Sequence, residues 1–302
     1  MQQPLIFDIK RYAINDGPGI RLTLFFKGCP LSCAWCHNPE SIAPHRQLLV
    51  TAARCIGCGG CVKLCPAGAL ALTAEGIVTD PNKCTLCGRC AEVCPSRAIE
   101  MSGRRYGLDE LLAIVEKERP FFDQSGGGVT VSGGEPLLHA EFLLQLLRAC
   151  GERGIHRAVD TSGYCDQATL LKVARQTELF LYDLKLVDAE LHRKYTGVDN
   201  AVILSNLQAL AAAGAEIAIR IPLIGGVNAD QRNMDQAARL VAGLAGGKKR
   251  VHLLPYHGSA AHKYLRLGGR YRQEGMREPT ADELERILRL FAERGLDAVV
   301  GG

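Results

Sequence analysis

Eleven of the thirteen cysteines in this 302-residue chain stand in short, regular groups, and their spacing constrains the fold more than any other feature. The first group is Cys29-x3-Cys33-x2-Cys36, directly after the apolar run 22–26. Three thiolates at this spacing can ligate three irons of a [4Fe–4S] cube, which has four corners. One iron then stays open for a ligand that is not protein, whereas a structural metal site closes its coordination shell. The alternatives are a zinc knuckle and three unlinked buried thiols.

The other eight of these cysteines form an internal repeat. The pattern C-x2-C-x2-C-x3-C-P begins at Cys55 and recurs 29 positions later, at Cys84. It is the pattern of bacterial two-cluster ferredoxins, in which the fourth cysteine of each run ligates the other cube. The repeat therefore predicts two clusters, one on Cys55, Cys58, Cys61 and Cys94, the second on Cys84, Cys87, Cys90 and Cys65. A pair of zinc ribbons is the alternative, but four-cysteine zinc sites pair their ligands differently.

Length and composition limit the class of protein. A chain of 302 residues with 47% hydrophobic residues can bury a large core, in one domain or two. The net charge of +4 comes from interleaved acidic and basic residues, so we expect no nucleic-acid partner. The first residues lack a signal-peptide pattern and no run of about 18 apolar residues occurs, which predicts a cytoplasmic protein with no membrane partner. Cysteines grouped as metal ligands fit a reducing compartment. We also expect the protein to be a monomer.

After residue 103 the chain alternates predicted strands and helices. Apolar and β-branched runs predict strands at 21–26, 128–132, 157–160, 179–183, 216–221, 250–254 and 298–300. Amphipathic segments predict helices at 108–118, 140–150, 166–175, 200–213, 230–243 and 280–294. Repeated strand–helix units indicate an α/β protein whose parallel sheet is covered by helices. Periodicity does not decide between an open sheet and a barrel.

The cysteine triplet, with Trp35 just before its third member, resembles the signature of the radical S-adenosylmethionine (SAM) superfamily. The flanking motifs Asp16-Gly-Pro-Gly-Ile-Arg21 and Cys36-His-Asn-Pro39 resemble the activating enzymes of glycyl radical enzymes, of the pyruvate formate-lyase activase type. The resemblance covers nearly the whole chain. It implies a partial (β/α)6 TIM-like barrel made of residues 1–47 and 104–302, with a ferredoxin-like domain inserted at 48–103. Functional residues would then gather at the C-terminal ends of the strands.

Polar motifs do follow the predicted strands. In the first, Gly133 and Gly134 allow close backbone approach to a ligand, and Glu135 can accept a hydrogen bond from an ammonium group. In the family this Gly-Gly-Glu motif holds the amino group of the methionine part of SAM. The resemblance also implies that Asp183 and Lys185 lie near the methionine and ribose. The guanidinium of Arg220 is charged and planar, so it is suited to form a bidentate pair with the carboxylate of SAM.

Four further assignments complete the predicted site. His257 matches a histidine that contacts the ligand, and Trp35 and His37 lie on the cofactor side, where the family reads the adenine with backbone atoms. Asp16 is expected to contact the protein substrate. The oxygens of Asp160, Thr161 and Asp183 match a monovalent-cation site, for which sodium, potassium or a water network are the options. Outside the cluster motifs, the two remaining cysteines are interpreted as small apolar side chains, Cys150 and Cys165.

The resemblance implies an enzyme that reductively cleaves SAM to a 5′-deoxyadenosyl radical, which removes hydrogen from a glycine Cα of a partner glycyl radical enzyme. The catalytic set would be Cys29, Cys33, Cys36, Lys185 and Asp16. Flavodoxin or ferredoxin would supply electrons, relayed by the two inserted clusters, whose order the sequence does not give. The inserted domain suggests relatives that serve choline lyase, glycerol dehydratase or isethionate lyase. The alternatives are a radical SAM enzyme acting on a small molecule and an electron-transfer subunit with three ordinary clusters.

Overall fold

A computed structural model describes residues 3–247, 249–271 and 274–301. Its strands are β1 Leu5–Ala13, β2 Arg21–Phe26, β3 Gln47–Val50, β4 Leu70–Thr73, β5 Gly76–Thr79, β6 Ile99–Ser102, β7 Arg104–Arg105, β8 Gly128–Gly133, β9 His156–Thr161, β10 Leu179–Asp183, β11 Ile217–Leu223, β12 Arg250–Pro255 and β13 Asp297–Val300. Its α-helices are α1 Gly60–Leu64, α2 Arg89–Glu92, α3 Leu108–Lys117, α4 Arg119–Ser125, α5 Ala140–Gly151, α6 Gln167–Ala174, α7 Ala189–Thr196, α8 Ala201–Ala212, α9 Gln231–Ala242, α10 Ala261–Arg266 and α11 Ala281–Ala292.

The main sheet has nine strands in the order β13-β12-β11-β10-β9-β8-β2-β1-β7. From β2 to β13 every neighbouring pair is parallel, and the two outer pairs that involve β1 are antiparallel. The α/β alternation predicted from the sequence is therefore confirmed. The central strands are buried, as Leu22, Leu24 and Phe26 of β2 show, because both faces of the sheet are covered.

Local signals explain where several helices begin. The side chains of Asp166, Asp188 and Asp230 accept backbone hydrogen bonds at the starts of α6, α7 and α9. At α11, Thr280 and Glu283 form a capping box, each side chain accepting from the backbone of the other residue. The three aspartate caps fix the starts of α6, α7 and α9 a few residues after the ends of β9, β10 and β11, so short loops at these strand ends remain to line a site.

Several elements of the structure were not predicted from the sequence. Those that bear on the site are β1, which pairs with β2, and the helices α7 and α10. β1 is apolar only at its start and mixes charged with apolar residues after that, and α7 is strongly polar, so neither has the long apolar pattern that identifies a buried element. α10 is only six residues long, too short for a periodic pattern.

Among the described residues, no helix has the length and apolar character needed to cross a membrane.

Residues between β3 and β6 form a small unit beside the main sheet. β3 and β6 pair antiparallel, with Gln47 opposite Ser102, and β4 and β5 form a hairpin. A separate hydrophobic cluster lies within this unit and consists of Cys61, Leu70, Ile77, Cys90, Ala98 and Ile99. Because two of its buried members are cysteines of the repeat, apolar packing and the thiols share one small core.

Lys27 joins this unit to the main sheet. Its side chain is 0% exposed, and Nζ donates to Gln47 Oε1 at 2.9 Å, to Ser102 Oγ at 3.4 Å and to the carbonyl of Glu40. Burial lowers the pKa of Lys27 to about 8, against the opposing effect of the Glu40 carboxylate. One buried ammonium group therefore connects the end of β2 to both ends of the inserted unit.

Candidate functional site

A cavity of about 770 Å³ lies at the C-terminal ends of the parallel strands. Residues of β1 line one side and residues of β12 the other, so the sheet curls around the cavity as a partial barrel. The cavity brings together nearly all residues predicted for the main site: Asp16, Cys29, Cys33, Trp35, Cys36, His37, Gly133, Gly134, Asp160, Thr161, Asp183, Lys185, Arg220 and His257. Glu135 is the predicted residue that does not line it.

Backbone hydrogen bonds from two directions hold the loop of the three site cysteines. Cys29 N donates to the carbonyl of Ile42 at 3.1 Å, and Ala34 N donates to the carbonyl of Tyr195, at the end of α7, at 2.9 Å. The Tyr264 hydroxyl of α10 donates to the carbonyl of this loop's last cysteine at 3.2 Å. α7 and α10, which the sequence analysis did not predict, therefore hold the cysteine loop in place.

The chemistry of the three thiols fits an iron cluster. Burial raises the pKa of Cys29 and of Cys36 to about 12, and it also raises the pKa of Cys33. Buried thiols of this kind become thiolates when cationic metal binds them. The ammonium of Lys185 lowers the pKa of all three, although less than burial raises it, and so supports the anionic form.

The glycines of the Gly-Gly-Glu motif allow close contact with the backbone at the end of β2 and just after it. A Cβ at Gly133 would lie 2.2 Å from the carbonyl oxygen of Phe26, and a Cβ at Gly134 would lie 2.1 Å from that of Gly28. The amide of Gly134 donates to Phe26 O and that of Glu135 to Gly28 O, both at 2.8 Å. The sequence analysis predicted that these glycines allow the backbone to approach a ligand closely. The structure shows that they also press the motif against the segment that leads into the cysteine loop.

The carboxylate of Glu135 is buried and accepts hydrogen bonds from the next strand. Oε1 accepts from Thr161 Oγ1 at 2.6 Å and from Leu137 N at 3.2 Å. Oε2 accepts from Ser162 N at 2.9 Å and from Ser162 Oγ at 2.6 Å. Burial nevertheless raises the pKa of Glu135, and these four hydrogen bonds oppose that rise. The side chain ties β8 to the end of β9, so its predicted contact with an ammonium group stays a prediction.

Two ion pairs occupy the cavity at neighbouring strand ends. Lys185 Nζ lies 2.7 Å from Asp183 Oδ2, and Arg220 Nη1 lies 3.5 Å from Asp160 Oδ2. Burial by itself would lower the pKa of Lys185, but Asp183 and the nearby thiols raise it above its usual value. Burial raises the pKa of Asp160 to about 6, against the effect of Arg220. The site therefore holds two fixed cations beside the thiols.

The predicted cation ligands all have protein partners. Asp160 Oδ2 accepts from Ser132 Oγ at 2.7 Å, Thr161 Oγ1 donates to Glu135, and Asp183 pairs with Lys185. Within the described part of the chain, no three His, Cys, Asp or Glu side chains are arranged around a single metal ion. Monovalent-cation binding at Asp160, Thr161 and Asp183 stays a prediction.

Opposite these strand ends, two histidines and the segment after β12 form the remaining wall. The rings of His37 and His257 have their centroids 4.3 Å apart, and His257 Nδ1 lies 2.7 Å from Ser259 Oγ. Trp35 lines the cavity and is itself largely buried, in a small apolar cluster with Tyr256 and neighbours. The sequence analysis missed Lys263 of this wall, which contacts Asn38 at 2.7 Å, because nothing in the linear pattern points from α10 to the cysteine loop.

The predicted substrate-contact residue Asp16 is held by a buried arginine. Arg21 is 1% exposed, and it donates to Thr130 Oγ1 at 2.6 Å and to the carbonyl of Pro18 at 3.1 Å. Thr130 in turn donates to the carbonyl of Asp16 at 2.6 Å, and Thr23 donates to its carboxylate at 2.7 Å. The turn that carries Asp16 is therefore fixed at the cavity edge.

Two smaller cavities lie in the inserted unit, each lined by four cysteines. The first insert cavity is lined by Cys55, Cys58, Cys61 and Cys94, and the second insert cavity by Cys65, Cys84, Cys87 and Cys90. These are the same two sets that the two-cluster ferredoxin pattern groups together, with the fourth cysteines exchanged. Outside all three cavities, Cys150 is buried in the main core and Cys165 packs against it.

Comparison with known protein families and structures identifies the chain's relatives. The radical SAM superfamily matches residues 81–237, a 4Fe-4S dicluster domain matches 54–105, and a 4Fe-4S single cluster domain matches 15–62. The chain is 43% identical to the trans-4-hydroxy-L-proline dehydratase activating enzyme of Clostridioides difficile, over 99% of both chains. It is 40% identical to the choline trimethylamine-lyase activating enzyme of Oleidesulfovibrio alaskensis, over 95% of this chain and 94% of that one.

Solved structures give the same family and fold. A domain of a pyruvate-formate lyase-activating enzyme from Bacteroides vulgatus is 40% identical, with a TM-score of 0.51, over 58% of this chain and 99% of that one. A radical SAM methyltransferase from Sphaerobacter thermophilus shares the fold alone, at 15% identity and a TM-score of 0.55, over 99% of this chain and 77% of that one. Iron–sulfur clusters and SAM are accordingly the cofactors that the domain matches support. The chain belongs to the activating enzymes of glycyl radical enzymes, within the radical SAM superfamily.

Proposed function

We propose that the main cavity is where this enzyme binds SAM on a [4Fe–4S] cluster held by Cys29, Cys33 and Cys36. The observation that carries the proposal is the composition of the cavity, which is lined by three half-buried thiols and by two cationic side chains of neighbouring strands, Lys185 and Arg220. When bound, cluster and SAM supply the reductive cleavage that forms the 5′-deoxyadenosyl radical, which takes hydrogen from a glycine of the partner glycyl radical enzyme. The protein positions these groups and excludes water.

The residues of the cavity fit the parts of SAM. Nε and Nη1 of Arg220 are buried without a hydrogen-bond acceptor among the described residues, which suits a carboxylate. Lys185 and Asp183 present a charge pair beside the thiols, toward the methionine and ribose. His37 and His257 form an aromatic wall for the adenine, with Trp35 packed behind the cysteine loop. Gly133 and Gly134 present backbone groups to the amino end of the ligand.

We further propose that residues 48–103 are an inserted domain with two [4Fe–4S] clusters, which gives three clusters in all. The two four-cysteine cavities and the separate hydrophobic cluster support this division from residues 1–47 and 104–302. Flavodoxin or ferredoxin is the proposed electron donor, and Asp16 the proposed contact to the partner. We propose a cytoplasmic monomer that binds its glycyl radical enzyme transiently.

The test is anaerobic reconstitution followed by iron analysis and turnover. The protein should bind about twelve irons, and the Cys29, Cys33 and Cys36 triple alanine variant about eight. With dithionite and SAM the wild type should form 5′-deoxyadenosine, and the triple variant should form none. If the triple variant still forms 5′-deoxyadenosine, the assignment of the site is wrong.

The identity of the product is tested with a partner protein. Incubated with reductant, SAM and its cognate glycyl radical enzyme, the protein should produce an electron paramagnetic resonance (EPR) doublet on the partner. Changing the partner's glycine to alanine should remove the doublet. A modified small molecule without any protein-bound radical would instead favour a radical SAM enzyme with a small substrate.

A further inference from the structure

We propose that electrons cross the inserted domain in a fixed order, entering at the first insert cavity and reaching the site cysteines by way of the second. This inference rests on the proposed function, because it takes each cavity to hold one [4Fe–4S] cube. The donor is a reduced one-electron carrier protein of the ferredoxin or flavodoxin class. Each transfer oxidises the donor by one electron and reduces one cube from the 2+ to the 1+ state, and no bond is made or broken.

The internal repeat shows that the two halves of the insert have different surroundings. Gly59 and Gly88 occupy the same position in the two cysteine runs. A Cβ at Gly88 would lie 3.1 Å from the guanidinium of Arg46 and 3.4 Å from the side chain of Met101, whereas a Cβ at Gly59 would meet no described atom within 4 Å. At this glycine the cysteine run of the second insert cavity is therefore covered by Arg46, just before the insert, and by Met101 of β6, whereas the equivalent point of the first run is not covered.

The covering segments lead directly to the site loop. A Cβ at Gly103 would lie 2.7 Å from Lys27 Cδ and 3.6 Å from the Cα of Arg46, so these three residues pack together. Lys27 stands two positions before Cys29 in the chain, and its ammonium donates to Gln47 Oε1 at 2.9 Å. A chain of contacts between described residues therefore runs from Gly88 of the second insert cavity through Arg46 and Lys27 to the cysteine loop. Electron tunnelling is faster through contacting protein atoms than across a gap of solvent.

Helix α10 makes a second connection between the same two regions. The Tyr264 hydroxyl donates to the carbonyl of Cys36 at 3.2 Å, and two positions later Arg266 forms an ion pair with Glu100 of β6. The next residue of β6 is Met101, the side chain that lies against Gly88. Two independent contact paths thus join the site cysteines to the second insert cavity.

The first insert cavity is instead bordered by exposed apolar side chains. Ile56, Leu72 and Val93 line it and are 67%, 46% and 39% exposed. Three leucines line the second insert cavity, and none is exposed: Leu70 is buried, and Leu48 and Leu86 are half-buried. Exposed apolar groups that border a redox site suit a docking partner, and they place the point of electron entry here.

Charge indicates the kind of partner that docks there. Arg54 and Lys63 of the first cysteine run are exposed, and residues 52–74 contain no aspartate or glutamate. Two exposed cationic side chains and no anionic one in this segment favour an acidic one-electron carrier, because complementary charge raises the rate of encounter. We therefore commit to an acidic ferredoxin-class protein as the occupant of this surface.

The first test measures the entry point with full-length, cluster-loaded enzyme. Ile56→Asp places a negative charge beside the first insert cavity, and Leu265→Asp places one on α10 at a side chain with the same 67% exposure. Stopped-flow bleaching of the cluster absorbance by reduced ferredoxin should slow about tenfold in Ile56→Asp and less than about twofold in Leu265→Asp. Reduction by dithionite should be unchanged in both. A larger loss in Leu265→Asp, or equal losses with both reductants, would overturn the proposal.

The second test measures which cube lies next to the site cluster and needs neither partner nor turnover. Cys87→Ala damages the cube of the second insert cavity and Cys58→Ala that of the first. Magnetic relaxation between clusters falls steeply with distance, so the site signal of dithionite-reduced, SAM-bound enzyme should saturate at several-fold lower microwave power in Cys87→Ala. In Cys58→Ala its saturation should stay near that of the wild type. The reverse pattern would refute the order, while 5′-deoxyadenosine formation in the same samples tests the proposed function separately.

Discussion

Arg220 of β11 and Asp160 of β9 face each other across the end of the intervening strand β10, with Nη1 and Oδ2 3.5 Å apart, yet this pair does not satisfy all donors of the arginine. Its Nε and Nη1 atoms are buried and have no hydrogen-bond acceptor among the residues that the structure describes. Leaving buried donors of a charged group unpaired costs about 1–3 kcal/mol or more, so the arrangement favours a second anion in the cavity. We propose that the pair holds the guanidinium in position for a carboxylate other than that of Asp160.

The first prediction is that Arg220→Gln weakens SAM binding. Loss of a charge-assisted, bidentate pair should raise the Kd by about 10- to 100-fold, and Arg220→Lys should recover only part of the loss, because an ammonium group lacks the planar fork. Anaerobic equilibrium dialysis of reconstituted protein measures the Kd. The exposed Arg289→Gln serves as the control and should bind SAM as the wild type does. Unchanged affinity in Arg220→Gln would remove this residue from the ligand site.

The second prediction concerns close backbone packing at the Gly-Gly-Glu motif. Gly134→Ala places a methyl group 2.1 Å from the carbonyl oxygen of Gly28, which must then move and carry the neighbouring Cys29 with it. We expect the iron content to fall by about four per chain, to the level of the two inserted clusters. Gly247→Ala, where a Cβ would meet no described atom within 4 Å, should keep the full content. Equal iron in both variants would show that this contact does not set the cysteine loop.

The third prediction separates radical formation from its delivery. Arg21→Lys removes the fork that binds both Thr130 and Pro18, which frees the turn of Asp16 while the cysteine loop stays intact. Formation of 5′-deoxyadenosine should stay within about threefold of the wild type, while the yield of glycyl radical on the partner should fall about tenfold. Thr23→Val, which deletes only the donor to the Asp16 carboxylate, should show the same imbalance to a smaller degree. Parallel losses of both products would contradict a role in positioning the partner.

The fourth prediction is a pH dependence of stability that originates at His192 of α7. Since the carbonyl of Val198 can only accept, Nδ1 carries the proton in the 2.8 Å contact between them, and burial lowers the pKa of the ring below its usual value. The unfolded chain therefore binds more protons than the native one as the pH falls through about 6.5, so acidification removes stability.

The comparison variant is His192→Asn, which keeps a donor but does not titrate. Between pH 8 and pH 5.5 the thermal midpoint of the wild type should fall by a few degrees relative to that of His192→Asn. Because α7 supplies the Tyr195 carbonyl to the cysteine loop, SAM binding should weaken over the same range. Midpoints that change in parallel would show that His192 titrates alike in the folded and unfolded chain.

Much of the site was readable from the sequence, because its chemistry is local in the chain. The site cysteines and the two insert runs are recognisable by spacing, since a cube needs several thiolates within a few residues. The polar motifs follow predicted strands, and parallel strands deliver their C-terminal ends to one edge, so Gly133, Asp160, Asp183 and Arg220 were expected together and do line one cavity. The alternation of strands and helices likewise needed only periodicity and caps.

The tertiary structure decided the contacts between distant parts of the chain. Tyr264 reaches the carbonyl of Cys36 across 228 positions, and Lys27 contacts both Gln47 and Ser102, which lie at the two ends of the unit between β3 and β6. No linear pattern encodes such pairs, because a short helix or a single buried lysine has no period to read. The same holds for Glu135, whose carboxylate turns to Thr161 and Ser162 only because packing closes β8 onto β9. Spacing along the chain determined which ligands exist, and packing between distant segments determined which partners hold them.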